Sequence, residues 1–368
     1  MKICHITSAH PIDDVRIYHK ECLTLNKYGF DIQILGSISW KSIEPKIKYE
    51  LLKFSTNNLL KRFFYLPFIF YKKAKIINAD IYHFHDPELL IVGFLLKRKG
   101  KIIIYDIHED NPRAIIGRDW GNKYLRIIIS YFFEKFENIF SKKFDVLLTA
   151  TNNIYNRFIL INKNTITLNN YPQLSEIINL NNKKHQKQKQ LCYTGIINQQ
   201  RGIGYIVKAL EKVEIRLLLI GNFSSNDYYN ELKNQKGWQN VDYVGYNSRE
   251  YVNESLVSSI AGIVTFLPLP NHINSQPNKM FEYMSAGVPV IASDFPLWKE
   301  IIHNNNCGIC VNPTNPDEIS TAIQFLINNP DQALKMGENG RKAVIEKYNW
   351  EVESEKLLNI YNKFMIIK

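Results

Sequence analysis

Along the first half of the chain, short runs of consecutive apolar residues alternate with longer stretches whose apolar positions recur at helical spacing. The runs fall at 2–7, 31–35, 81–84, 101–105, 146–149 and 165–168, with helix-length segments such as 15–28 and 88–97 between them. Nearly continuous apolar strands separated by amphipathic helices predict a parallel sheet covered on both faces. Around 175–190 the pattern dissolves into a polar stretch rich in Asn, Lys and Gln, the best linker candidate. The alternation then restarts, with strands expected at 190–194, 215–220, 241–243, 262–267, 288–292 and 308–311, and helices at 203–210 and 279–285. The expected organisation is α/β, with two Rossmann-like doubly wound domains facing across a cleft. Domain one covers 1–175, a linker 176–189, domain two 190–346. A terminal stretch, 347–368, either stays with the second domain or crosses back to the first. Ligands of such sheets sit beyond the carboxyl ends of strands, so the loops there are where chemistry is sought.

Composition narrows this picture only a little. With 45% hydrophobic and 22% charged residues in 368, the chain is globular and long enough for two cores. The five cysteines include one close pair, Cys307 and Cys310, and a lone C-x-x-C without a second pair reads as two strand-associated thiols in a reducing compartment. The start, MKICHITSA, reads as a first strand rather than a signal peptide. Charge is distributed unevenly. Residues 1–165 hold 26 Lys and Arg against 16 Asp and Glu, whereas the remainder holds 20 against 19. The basic excess therefore belongs to the first half and points to an anionic surface or partner there.

The most informative segment is QPNKMFEYMSAGVPVIAS, 276–293. A polar loop carrying Lys279 opens a helix, Gly287 stops it, and a buried strand follows. A helix N-terminus offers unpaired N–H groups and a positive dipole end to an anion. Met280 and Phe281 are expected to supply those N–H groups, Lys279 a formal charge, and Glu282 a carboxylate for a ribose diol. A second loop, YTGIINQQRGI, places Arg201 between a strand and a helix, where a guanidinium can pair two phosphate oxygens. In the first half, His108 follows a strand in YDIHED, and His85 and Asp86 end another in HFHDPELL. Asp86 precedes Pro87, so a helix-capping role and a ligand-facing role are equally open. The first loop holds His10, Asp13, Asp14 and Arg16. Arg16 and Lys20 share a helix face, which either meets an anionic acceptor or is simply solvated.

Taken in order, HITSAHPIDDVRIYHKECLTL, HFHDPELL, YDIHED, YTGIINQQRGI, PNKMFEYMSAGVPVIAS and YNWEVESEKLLNIY resemble a GT-B glycosyltransferase of glycosyltransferase family 4. The resemblance implies retaining, metal-independent transfer from a nucleotide sugar. It implies that Arg201 and Lys279 meet the diphosphate, that His108 and Asn274 lie at the donor sugar, and that Gly245 and Tyr246 border the nucleobase, with UDP favoured. Asp13, Arg16, His85 and Asp86 fall in the acceptor cleft. Two positions depart from the family pattern. Asn274 stands where a first glutamate usually lies eight residues before Glu282, and Ile196 stands where an Arg usually accompanies the cation at Arg201. Lys279, where the family commonly has an uncharged residue, is a candidate replacement for that charge. No Asp-x-Asp stands in a metal-binding context, so no metal and no cofactor besides the sugar nucleotide is expected.

Two segments, 59–75 and 123–143, combine basic ends with aromatic and aliphatic middles. They read either as contacts with an anionic bilayer or as buried helices with Lys on their rims. No recognition motif for nucleic acid is present. The expected function is sugar transfer to a glycan or lipid-linked acceptor in bacterial surface polysaccharide synthesis, by a cytoplasmic protein peripheral to the inner face of the membrane. The alternatives are a GT-B enzyme that modifies a sugar nucleotide, such as an epimerase, and a catalytically silent GT-B binding subunit.

Overall fold

The computed structural model describes residues 1–38, 46–52, 65–118, 120–175 and 187–366. Positions 59–64 of the first candidate membrane segment and 176–186 of the candidate linker lie outside them. The chain forms two compact units, Met1–Asn170 with Val352–Lys368, and Tyr171–Glu351.

In the first unit, seven strands form one sheet: β1 (Lys2–Pro11), β2 (Asp31–Ile38), β3 (Lys48–Leu51), β4 (Ile81–Phe84), β5 (Ile102–Ile107), β6 (Val146–Thr149) and β7 (Thr165–Thr167). Their order is β3-β2-β1-β4-β5-β6-β7, and every pairing is parallel. β4 and β6 are buried at every position, which is why their sequences show no polar alternation. β3 is the strand that the apolar pattern does not announce. It reads KYEL, lies at the sheet edge and is largely exposed, so nothing forces an apolar run there. The segment after β1 is a wide-turned π-helix, Val15–Cys22, followed by an α-helical turn, Leu23–Lys27. Asp14 caps it, accepting from the N–H groups of Arg16 at 2.8 Å and Ile17 at 3.0 Å. The C-terminal helix, Trp350–Ile366, gives most of its length to this unit. Its Tyr361 hydroxyl lies 2.8 Å from His83 Nδ1, and its ring packs edge-on to Phe30.

The second unit holds β8 (Gln190–Thr194), β9 (Arg216–Ile220), β10 (Val241–Gly245), β11 (Ala261–Val264), β12 (Val290–Ser293) and β13 (Gly308–Val311). They are all parallel, in the order β10-β9-β8-β11-β12-β13. In each sheet the chain order reverses beside the first strand, between β1 and β4 and between β8 and β11. Such reversals open the crevice where ligands of doubly wound sheets bind.

The helix Asn278–Ser285 is seated hard against β11. A Cβ on Gly262 would lie 2.3 Å from the Tyr283 ring, so a glycine is what lets the helix approach this closely. Tyr283 Oη then accepts from the Thr194 N–H at 3.2 Å, which ties the helix to the end of β8. Met280, Phe281 and Met284 fill the core beside Trp298, and burial of each large apolar side chain contributes about 1.5–3 kcal/mol. Among the described residues all five cysteines are free thiols, four of them buried.

The two segments with basic ends behave differently. The described part of the first is an ordinary core helix, Leu66–Ile77, which buries Leu66, Phe70, Ala74 and Ile77. The second, Lys123–Ser141, is inverted. It buries Ser130, Glu137 and Ser141, while Tyr124, Phe132 and Ile139 are 77%, 66% and 63% exposed. Glu137 turns inward because Tyr105 Oη donates to it at 2.9 Å and Arg157 Nη2 at 2.6 Å. No helix among the described residues is long and apolar enough to cross a membrane.

Candidate functional site

At the reversal of the second sheet, two cations share an aromatic floor. Arg201 ends a short helical turn, Gln199–Arg201, capped by Asn198, whose Oδ1 accepts from the Arg201 N–H at 3.0 Å. Its guanidinium carbon lies 4.0 Å from the centre of the Phe266 ring. The Lys279 Nζ lies 5.3 Å from that same ring and 4.4 Å from the Tyr193 ring, and donates to Tyr193 Oη at 3.2 Å. Such placements over aromatic faces favour cations. Gly195, just past β8 with φ of 114°, makes room for the amine, since a Cβ there would meet Lys279 Nζ at 2.8 Å. Burial, and then the charge of Arg201, lower the Lys279 amine to about 7, against a smaller opposing pull from Glu282. Each positive charge disfavours the other, and a bound anion offsets both.

Around this pair the other expected residues are distributed unequally. Glu282 stands one turn along the helix from Lys279, and Arg249 Nη1 donates to its Oε1 at 2.9 Å. The helix begins at Asn278, so the N–H groups of Asn278 and Lys279 open it. The Met280 N–H already donates to the Pro277 carbonyl at 3.0 Å, and the side chains of Met280 and Phe281 belong to the core. Asn274 is exposed, at the end of the short helix Pro270–Ile273. Ile196 is exposed as well. Gly245 ends β10 with φ of 70°, its carbonyl accepts from the Gly221 N–H at 2.8 Å, and Tyr246 after it is exposed. Three residues here were not anticipated from sequence: Phe266, Tyr193 and His272. His272 is buried, its Nδ1 is 3.0 Å from the Leu267 carbonyl, and burial lowers its imidazole to about 4. Phe266 lies near the end of the apolar run 262–267, and the signal that it faces a site was the run's overshoot past the strand.

At the reversal of the first sheet the charges are paired internally. Arg16 is buried and grips Asp106 with two hydrogen bonds, Nε to Oδ2 at 2.9 Å and Nη2 to Oδ1 at 2.7 Å. Its Nε also lies 3.0 Å from Glu21 Oε1. Lys20 is buried too and donates to Asn170 at 2.6 Å. Neither side chain belongs to a solvated helix face, because the π-helical turn directs this face into the unit. Asp86 makes no cap for the turn Pro87–Leu89. Its Oδ2 instead accepts from Thr7 Oγ1 at 2.8 Å, the Ser8 N–H at 2.6 Å and the Ala9 N–H at 3.1 Å, and its Oδ1 is 2.8 Å from His10 Nδ1. Burial opposes charge on both partners of that last pair. The hydrogen bond and charge of Asp86 nonetheless raise His10 to about 9, while His10 and the loop N–H groups hold Asp86 well below the usual carboxylate range. His85 is buried, which lowers it to about 4. His108 Nε2 lies 2.8 Å from Asp106 Oδ2 and 3.3 Å from His85 Nδ1. Asp13 is half-buried in the loop after β1. The fold thus brings Arg16, His85, Asp106 and His108 into one network with Asp86 and His10 beside it.

Two parallel α/β sheets, each with a crevice at its reversal, define the GT-B fold, and comparison with solved structures agrees. Sucrose-phosphate synthase of Thermosynechococcus elongatus superposes with a TM-score of 0.77 over 100% of both chains at 18% identity. HepE of Anabaena, solved in complex with UDP, gives a TM-score of 0.75 over 99% of this chain and 100% of that one at 13% identity. Residues 175–343 match the family model described as Glycosyl transferases group 1. By sequence it is similar to an uncharacterized glycosyltransferase of Methanocaldococcus jannaschii, 26% identical over 179 residues, which are 47% of this chain and 45% of that protein. The chain spans about half the length of the curated relatives it matches.

Proposed function

We propose that the protein is a retaining glycosyltransferase that takes a sugar from a nucleotide donor, UDP-linked by preference, without a metal at the leaving group. The observation that carries this reading is the pairing of Arg201 and Lys279 over Phe266 beside Gly195. Departure of a nucleoside diphosphate leaves two or more negative charges on oxygen, and preorganised cations with helix N–H groups stabilise that charge where it develops. Lys279 supplies the second charge that Ile196 lacks. Glu282 accepts from the ribose hydroxyls after exchanging its Arg249 contact, and the β10 end at Gly245 and Tyr246 borders the base. In the second unit Asn274 is the group that hydrogen-bonds a sugar hydroxyl, and in the first unit His108. The solved complex of HepE with UDP supports the choice of base.

The acceptor in this reading is a glycan or lipid-linked sugar of a bacterial surface polysaccharide, met by the first unit through Asp13, His85, Asp86 and their neighbours. The apolar outer face of Lys123–Ser141, with Lys123, Arg126 and Lys135 on the same helix, supports peripheral binding to an anionic bilayer.

Thermal melting with UDP, UDP-glucose and other nucleotide sugars tests the donor assignment, because a ligand that binds only the folded chain must raise its melting temperature. The expected result is a rise for wild type that is lost in Lys279→Ala. An equal rise in both proteins would overturn the assignment. Cosedimentation with phosphatidylglycerol vesicles, compared with phosphatidylcholine alone, tests the membrane face. Anionic vesicles should retain wild type and release Ile128→Asp/Phe132→Asp.

A further inference from the structure

Beneath the charged network of the first unit lies a second cluster, which shares His85 with it. His5 on β1, Glu21 on the first helix, and His83 and His85 on β4 are buried to within 2% of full burial. One donor atom from each lies within 4.8 Å of every other. His5 Nδ1 and His85 Nε2 are 3.0 Å apart, and Glu21 Oε2 is 3.9 Å from both His5 Nδ1 and His83 Nε2. We propose that these four side chains form a binding site for a divalent transition-metal ion of the zinc class, held by His5 Nδ1, Glu21 Oε2, His83 Nε2 and His85 Nε2.

Three observations carry the inference. The spacing is right: four donors placed tetrahedrally at about 2.0–2.1 Å from Zn²⁺ stand roughly 3.3 Å from one another. The observed separations bracket that value and need only a small contraction. The second is that two of the four donors lack a partner. His83 Nε2 and Glu21 Oε2 are buried and make no hydrogen bond among the described residues, while His5 Nδ1 and His85 Nε2 face each other. Buried polar atoms are almost always satisfied, so two unsatisfied atoms in one cluster call for a ligand. The third is the outer layer. The far nitrogen of His83 faces Tyr361 Oη at 2.8 Å, and that of His85 faces Asp106 Oδ2 at 3.4 Å. Ligating imidazoles use such contacts to fix the tautomer that presents its lone pair to the ion. Glu21 and, one layer out, Asp106 meet the charge of the ion beside Arg16.

The donor set selects the ion. Three imidazoles and one carboxylate suit Zn²⁺ and Co²⁺, whereas Mg²⁺ and Ca²⁺ demand oxygen ligands. With all four positions taken by protein and none of them exposed, the site is structural rather than catalytic. It ties β1, the first helix and β4 together, braces the C-terminal helix through Tyr361, and holds the His85 ring that faces His108. Reading the sequence for Asp-x-Asp did not reveal it, because its ligands are gathered from three elements.

The test uses the full chain without a polyhistidine tag, expressed with added zinc, dialysed, and assayed by elemental mass spectrometry. Wild type and the surface control His303→Gln should carry about one ion per chain. His83→Gln and Glu21→Gln should lose most of it. Chelator-treated wild type should regain melting temperature when Zn²⁺ is returned, and Co²⁺ should give the visible absorption of a tetrahedral site. If the variants do not fold, the Zn²⁺ and Co²⁺ additions to chelator-treated wild type still decide the matter. Wild type without stoichiometric metal and without response to either ion overturns the proposal, as does full metal retention by both variants.

Discussion

The two sheets reverse their chain order at equivalent places, yet they handle charge there in opposite ways. At the first reversal opposite charges are paired: Arg16 meets Asp106, and Asp86 meets His10 and the loop N–H groups. At the second, Arg201 and Lys279 share one phenyl ring, and burial, with the Arg201 charge second, lowers the affinity of the Lys279 amine for a proton. The lesson is that the doubly wound fold supplies the crevice, while the local pairing of charges determines what enters it. A crevice whose ions neutralise one another is rigid and suits neutral hydroxyls. A crevice with crowded cations is poised for a phosphate, because the anion relieves their repulsion as it binds.

The largest effect expected on this comparison comes from breaking the first crevice's pairing. Asp106→Asn leaves the buried Arg16 guanidinium without its two charged hydrogen bonds, and stranding a buried charge costs about 3–5 kcal/mol, readable by urea denaturation. Next in size, Arg201→Ala and Lys279→Ala each remove one of the cations proposed to meet the diphosphate. Each should weaken UDP binding by about 1.5–3 kcal/mol in calorimetry, with folding little changed. Gly262→Ala drives a methyl group into the Tyr283 ring and should destabilise by about 1–3 kcal/mol while shifting the helix that carries Lys279, so UDP affinity should fall with it.

A smaller and more diagnostic effect follows from pH. With its pKa at about 7 in the free protein, Lys279 is protonated below that value and neutral above it. A diphosphate favours the protonated form, so UDP affinity should fall as pH rises through 7, by at most about tenfold per unit, with proton uptake on binding above 7. Lys279→Arg keeps its charge and should flatten the profile. The smallest effect is expected on the outer face of Lys123–Ser141. There Phe132→Ser should change stability by less than about 0.5 kcal/mol, since the ring is already in solvent.

Much of the architecture was legible because burial leaves a trace along the chain. Strands covered on both faces must be apolar throughout, and their runs marked all the strands except β3, whose exposed edge position leaves no such mark. The resemblance to a glycosyltransferase family likewise rested on loops of fixed order. Side-chain direction was far less legible. Arg16 and Lys20 read as one face, either meeting an anionic acceptor or solvated, and both are instead buried against Asp106 and Asn170. The load of Ile and Phe at 123–143 suggested either of two environments. Its inward face, set by Ser130 and Glu137, was decided by partners at Pro112, Tyr105 and Arg157.

What the sequence determined by itself, then, was local: which segments are strands, where helices begin within a residue or two, and which cations stand in loops after strands. Only the tertiary structure decided which of those groups meet. Arg201 comes from the turn after β8, Lys279 from the first turn of the helix Asn278–Ser285, and Phe266 from the segment after β11, so their common floor exists only once β8 and β11 lie side by side. The cluster of His5, Glu21, His83 and His85 arises the same way from β1, β4 and the first helix. Electrostatic and coordination energies depend on distance in space, and the spacing of residues along the chain does not record that distance until the sheet has formed.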